Sequence, residues 1–182
     1  MNVVETGIKD LVVIEPQVFG DDRGFFMESY NKEKFHAAGL TYDFVQDNHS
    51  FSTAGVLRGL HFQLPDMEQA KLVRCTRGKL WDVAVDLRKD SLTYKQWFGV
   101  ELSAENKKQF MVPAGFAHGF YALEDCELQY KCTNVYSSEH DGGIAWNDPE
   151  VGIEWPIVEG LETIFSEKDQ NQPLLSETDL PW

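Results

Sequence analysis

The sequence predicts an all-β fold, a sandwich or barrel, on three observations. Short apolar or alternating runs follow one another closely, turn formers separate them, and one run alternates cleanly between two unlike faces. From the N-terminus the runs are "LVVIEPQVF", "FFMESY", "YDFVQDNHSF", "VLRGLHFQ", "KLVRCTRG", "KLWDVAVDL", "QWFGVELS", "KQFMVPAGFAHGFYAL" and "ELQYKCTNVY". "GDDRG", "STAG", "RGK" and "PAG" supply the Gly, Asp and Pro that set turn dihedrals. In "WDVAVDL" Trp81, Val83 and Val85 share one face while Asp82, Ala84 and Asp86 share the other, as a strand in a two-sheet sandwich would. Only two segments read as helical. Residues 31–39 offer Asn31 as an N-cap and Gly39 as a stop, and "SEKDQNQPLL" offers Ser166 as a cap. The stretch after Ile157 is acidic and proline-punctuated, which suits a covering segment.

A chain of 182 residues with 42% hydrophobic content suits one domain spanning 1–182, with a core that requires no disulfide or metal staple. A formal net charge of -14 opposes nucleic-acid binding, because a polyanion needs a basic surface to release its counterions. One small anionic ligand remains compatible, since distant charges are screened beyond about 8 Å at physiological salt. No run of about 18 apolar residues could span a membrane, and "MNVVETGIKD" lacks the pattern of a signal peptide. The expected setting is the cytoplasm. Cys75, Cys126 and Cys132 are odd in number and lack metal-site spacing, so they are expected to pack as small apolar side chains.

Two of the five histidines, His61 and His118, lie inside strand-like apolar runs. A histidine so placed is either a hydrogen-bonded core residue or a functional one. "PAGFAH", ending at His118, resembles the second motif of the cupins, small jelly-roll barrels in which that histidine faces the interior. The first cupin motif would be "HFQLPDME", with His61 in place, Glu68 at the family spacing, and Gln63 where a second histidine belongs. A neutral amide is a poor metal ligand, so no metal site is assigned. A metal-dependent cupin enzyme using His61, Glu68 and His118 stays open as an alternative.

The motifs "DDRGFFMESY", "QDNHSFS", "VLRGLHFQ", "VPAGFAHGF", "LQYKCTNVY", "WNDPEVGIEWP" and "SEKDQ", in this order, resemble the dTDP-4-dehydrorhamnose 3,5-epimerase family from about Gly7 to Leu175. The resemblance implies a cupin-type jelly-roll β-sandwich with one or two short peripheral helices and no cofactor. It also implies a homodimer acting on dTDP-4-dehydro-6-deoxy-D-glucose at C3 and C5, both α to the C4 ketone. Such chemistry needs a base, a donor to the enolate oxygen and an acid on the opposite face. By motif, His61 resembles the base and Asp169 its carboxylate partner. Tyr130 resembles the acid, and Lys71 the cation near the C4 oxygen. Arg23 and Arg58 would hold the diphosphate. Glu28, Gln46 and Asn48 would face the thymidine, with Phe26 on the binding side and Tyr136 stacked on the base. His118 would hydrogen-bond the sugar, Lys168 would add charge at the anion site, and Asp141 stands where relatives carry glutamate.

Alternation places Leu128, Tyr130, Cys132, Asn134 and Tyr136 on one face, as a pocket shared by Tyr130 and Tyr136 requires. Arg58 and His61, three positions apart, would point to opposite faces of a regular strand, yet the resemblance places both in one site. A bulge at Gly59 is therefore predicted. Two further alternatives remain: an epimerase that inverts only C3 or only C5, and a catalytically silent sugar-binding barrel.

Overall fold

A computed structural model describes residues Met1–Trp182. The N-terminal part contains β1 (Asn2–Glu5), β2 (Val12–Glu15), β3 (Val18–Asp21), β4 (Gly24–Met27), helix α1 (Lys32–Ala37) and β5 (Gln46–Ser52). There follow β6 (Leu57–Gln63), β7 (Lys71–Arg77), β8 (Lys79–Asp86), β9 (Trp97–Ser103) and β10 (Gln109–Val112). The C-terminal part contributes β11 (Phe116–Ala122), β12 (Cys126–Cys132), β13 (Asp141–Gly143), helix α2 (Glu167–Gln170) and a 3-10 turn at Leu175–Glu177.

Two antiparallel sheets face each other, ordered β1-β2-β10-β7-β12-β5 and β13-β6-β11-β8-β9. Neighbours distant in sequence, such as β10 beside β7 and β11 beside β6, give the Greek-key crossings of a jelly roll. The inner faces meet over Val73, Leu80, Ala84, Phe110, Phe120 and Leu128. Trp81, Val83 and Val85 share a face, as the alternation predicts, and it is the outer one. The C-terminal tail covers it with Val151, Leu175 and Leu180. The polar face of β8 therefore turns inward, which brings Asp82 into the barrel with no exposed surface.

Both helix caps form as read. Asn31 accepts the Lys34 N–H, α1 buries Phe35 against Ile14, Leu72 and Met111 on the outside of the six-stranded sheet, and Gly39 ends the turn at φ 85°. Ser166 accepts the Asp169 N–H at 3.1 Å. All three cysteines are free and buried, with Cys75 and Cys126 in the inter-sheet core. One expectation is corrected. β12 ends at Cys132, so strand alternation does not carry through to Tyr136, which lies on the following loop. No helix is long and apolar enough to cross a membrane.

Candidate active site

The predicted break at Gly59 is present. Along β6 and β11, His61 opposes His118 and Arg58 opposes Phe120, so Gly59 and Leu60 together face Gly119 alone. Gly59 takes φ 117°, and a Cβ there would stand 2.6 Å from the Gly119 Cα and 2.8 Å from the His118 carbonyl oxygen. Neither the dihedral nor the space admits another residue. The extra residue resets the alternation: Leu60 and Phe62 pack outward under the tail, while Arg58 and His61 both turn inward. Arg58 crosses to the other sheet, donating Nε to the Ser52 hydroxyl at 3.0 Å and Nη2 to the Phe51 carbonyl at 3.3 Å.

His61 Nε2 lies 2.5 Å from Asp169 Oδ1. The carboxylate also accepts the Ser166 hydroxyl at 2.7 Å and the Gly59 N–H at 3.3 Å. Burial pushes the Asp169 carboxyl up, but these donors outweigh it and hold the group below the usual carboxylate range. Ionised Asp169 fixes the tautomer: Nε2 carries the proton, and Nδ1 carries the lone pair. On the neighbouring strand His118 repeats the arrangement, with Nε2 2.7 Å from Asp82 Oδ1. There the second oxygen, Asp82 Oδ2, is buried without a partner. Burial raises the Asp82 carboxyl, and His118 and Lys71 offset that only in part.

The opposing sheet supplies Lys71, Tyr130, Gln46 and Asn48. Lys71 shares the inward face of β7 with Val73 and Cys75 and has no ion-pair partner. Burial lowers its ammonium from the ordinary lysine range, while the Cys132 thiol and the Asp82 and Asp141 carboxylates work in the other direction. Tyr130 packs against the inter-sheet core, and burial raises its phenol. Asn48, cross-strand to Tyr130, donates to Cys132 Sγ at 3.5 Å and accepts from Gln46 Nε2 at 3.2 Å.

At the mouth, Gln46 Oε1 accepts the Tyr136 N–H at 3.0 Å, and the Tyr136 hydroxyl donates to Asp141 Oδ2 at 3.4 Å. Lys168 closes an ion pair on the same Asp141 oxygen. The tail thus places Lys168 at the rim and its neighbour Asp169 in the interior.

Three expected residues stand apart from this group. Arg23, Phe26 and Glu28 belong to or adjoin the β3–β4 hairpin, which pairs only with itself. The Arg23 side chain is 90% exposed and bound to Asp21, Phe26 is 67% exposed, and Glu28 pairs with Lys34. The cavity beneath the hairpin, about 580 Å³, is lined by the hairpin's own Phe25 and Phe26 and by Arg74, Thr76 and Gln129, which alternate with the inward residues of β7 and β12. Asp82 and Ser166 are site members that the sequence reading did not single out for chemistry. For Asp82 the available signal was an aspartate on the face of "WDVAVDL" opposite the valines. Nor do His61, Glu68 and His118 converge: both imidazole Nε2 atoms face aspartates, and no group of three metal-ligating side chains forms. Gln63, at the remaining cupin ligand position, bonds instead to the backbone at Met67, Val135 and Ser137.

The model of the family described as dTDP-4-dehydrorhamnose 3,5-epimerase matches residues 5–177. The dTDP-4-dehydrorhamnose 3,5-epimerase of Escherichia coli (strain K12) is 54% identical over 179 residues, 97% of this chain and 96% of that protein. The Legionella pneumophila dTDP-6-deoxy-D-glucose-3,5-epimerase, solved in complex with dTDP-4-keto-L-rhamnose, superposes with a TM-score of 0.93 at 47% identity, covering 98% of this chain and 94% of that one. The Bacillus anthracis dTDP-4-dehydrorhamnose 3,5-epimerase, solved with TDP and PPi bound, gives a TM-score of 0.91 at 50% identity, covering 96% of this chain and 99% of that one.

Proposed function

Because this chain belongs to the dTDP-4-dehydrorhamnose 3,5-epimerase family, we propose that it epimerises dTDP-4-dehydro-6-deoxy-D-glucose at C3 and C5 to dTDP-4-dehydro-L-rhamnose. It is an isomerase of dTDP-rhamnose biosynthesis on a cupin-type jelly roll. The observation that carries the mechanism is the His61–Asp169 pair at 2.5 Å, inside the barrel and across from Lys71 and Tyr130. His61 Nδ1 removes the proton α to the C4 ketone, and Asp169 stabilises the imidazolium that forms. Lys71, in a site of low dielectric, offsets the negative charge that develops on the C4 oxygen. Tyr130, whose phenol burial keeps protonated at neutral pH, returns a proton from the other face. The substrate's own carbonyl acidifies both positions, so these residues meet each requirement without a cofactor. Arg58 holds the diphosphate from within, His118 hydrogen-bonds the sugar, and Tyr136, Gln46 and Asn48 receive the thymidine beside Asp141 and Lys168.

The same reading makes the active unit a homodimer. The hairpin exposes Phe19, Phe25 and Phe26 together with Arg23, and its two strands pair with no other strand of the chain. A partner's site is the destination that uses both its aromatic surface and its guanidinium. Three free, buried cysteines suit the reducing cytoplasm.

Solvent deuterium exchange into the substrate, followed by product NMR, tests the reaction. Label is expected at C3 and C5 with both centres inverted. No label from pure protein would overturn the reading, and label at one carbon would replace it with a single-centre epimerase. Mixing His61→Asn with Arg23→Ala chains tests the sharing of sites. Activity recovered in the mixture is expected, and none would place Arg23 outside the partner's site.

A further inference from the structure

We propose that Gln63 is a positioning residue for nucleotide binding: it holds the loop that presents Tyr136 at the mouth of the pocket. The inference rests on the assignment of Tyr136 to the base. β12 has ended at Cys132, so no strand ladder fixes residues 133–140. Tyr136 itself is 59% exposed, and a ring so placed stacks a planar ligand well only if its backbone is already ordered. Gln63 provides that order. Its Nε2 donates to the Val135 carbonyl at 3.2 Å and to the Met67 carbonyl, and its Oε1 accepts the Ser137 N–H at 2.7 Å. The residues on either side of Tyr136 are thus gripped by one amide, and the Tyr136 N–H goes to Gln46.

Chemistry favours glutamine here. An amide offers an acceptor and two donors on one rigid group, which matches one N–H and two carbonyls. Gln63 is only 5% exposed, so none of these bonds can be exchanged for water without loss. It also follows His61 by two positions on β6 and so shares the inward face of the base. The location of Tyr136 is thereby referenced to the strand that carries His61. The position at which a cupin metal site would place its second histidine has a different task in this chain.

The fold has an independent tie between the same loops: Gln69 Nε2 donates to the Asn134 carbonyl at 2.8 Å, and Asn134 Nδ2 to the Glu68 carbonyl at 3.0 Å. Loss of the Gln63 bonds should therefore loosen Tyr136 and leave the barrel folded. The test is Gln63→Met, similar in length and without the amide, read by calorimetric titration with dTDP and by steady-state kinetics. The Kd for dTDP and the KM for the sugar nucleotide should each rise about tenfold, with kcat within about twofold. In a Tyr136→Ala background the same change should have little further effect, because both act through one ring. An unchanged Kd, an equal loss in the Tyr136→Ala background, or a fall in kcat at constant KM would each overturn the proposal. Should Gln63→Met fail to fold, Gln63→Glu decides by the same readouts, since its carboxylate keeps the Ser137 bond and repels the two carbonyls. The dTDP titration requires no turnover, so failure of the epimerase assignment and failure of the Gln63 assignment are separable. Wild-type protein that binds no dTDP would overturn the Tyr136 assignment and this inference with it.

Discussion

Two histidine–aspartate pairs lie side by side in this barrel, and their surroundings make them different instruments. His61 and His118 are cross-strand partners, each with Nε2 on a carboxylate. Asp169 arrives from the tail helix and collects donors from His61, Ser166 and Gly59, which hold it ionised in spite of burial. Asp82 arises within the sheet, has His118 as its one donor, leaves Oδ2 unpartnered, and is pushed up by burial. The His61 side chain is 30% exposed and His118 only 9%. A carboxylate held ionised by several donors can support an imidazolium as it forms, and one with a single donor suits a histidine that acts as a hydrogen-bond partner. Residue type is the same in both pairs; the number of donors around the carboxylate separates them.

Removing each histidine tests that division most severely. His61→Asn should reduce exchange at both C3 and C5 by about 10³-fold or more, the range for loss of a positioned general base. His118→Asn should chiefly raise KM and leave exchange measurable. Equal loss of exchange in the two variants, followed by proton NMR in deuterium oxide, would erase the distinction. A step down in size, Asp169→Asn should lower kcat/KM by about 10²-fold through the wrong imidazole tautomer, and Asp82→Asn by far less. On the opposite sheet Tyr130→Phe should slow product release as the inverted sugar by about 10²-fold while exchange persists, because only the final protonation is lost. Exchange and product formation falling together would instead assign Tyr130 to the first step.

Much of this arrangement was legible in the sequence. Short runs and turn residues give the sheets, Asn31 and Ser166 give the caps, and the bulge at Gly59 follows from the odd spacing of Arg58 and His61 once the resemblance places both in one site. These features are local, set by dihedral preference and strand period. Asp82 does not stand out in the sequence because its meaning depends on which face of β8 the tail covers, and that is decided by residues such as Leu175 and Leu180, more than 90 positions away. The alternation argument for Tyr136 fails for a related reason. Period-2 reasoning holds only while a ladder continues, and beyond Cys132 the chain is positioned by side-chain amides whose partners no pattern announces. The exposed hairpin is a third case: the resemblance assigns Arg23, Phe26 and Glu28 to substrate binding, while β3 and β4 pair with no other strand of the chain.

The smallest expected effect is also the most direct measure of the difference between the carboxylates, since it requires no substrate. The folded-state pKa of Asp169 lies below its unfolded value near ~3.9, so its stabilisation is present above that value and is lost as pH falls through the folded one. The folded-state pKa of Asp82 lies above its unfolded value, so its contribution runs the other way: stability declines as pH rises from ~3.9 through the folded value. Asparagine keeps the shape and removes the charge in each case. At pH 7 Asp169→Asn should lower Tm by several degrees, at about 2–4 °C per kcal/mol for a chain of this size, and the deficit should shrink below about pH 4. Asp82→Asn should leave Tm at pH 7 unchanged or slightly raised, because burying an under-solvated charge is no longer required. Scanning calorimetry from pH 3 to 8 reads both variants. If Asp82→Asn destabilised at neutral pH as much as Asp169→Asn, Asp82 would have to be ionised and fully compensated in the folded protein, and the two pairs would be electrostatically equivalent after all.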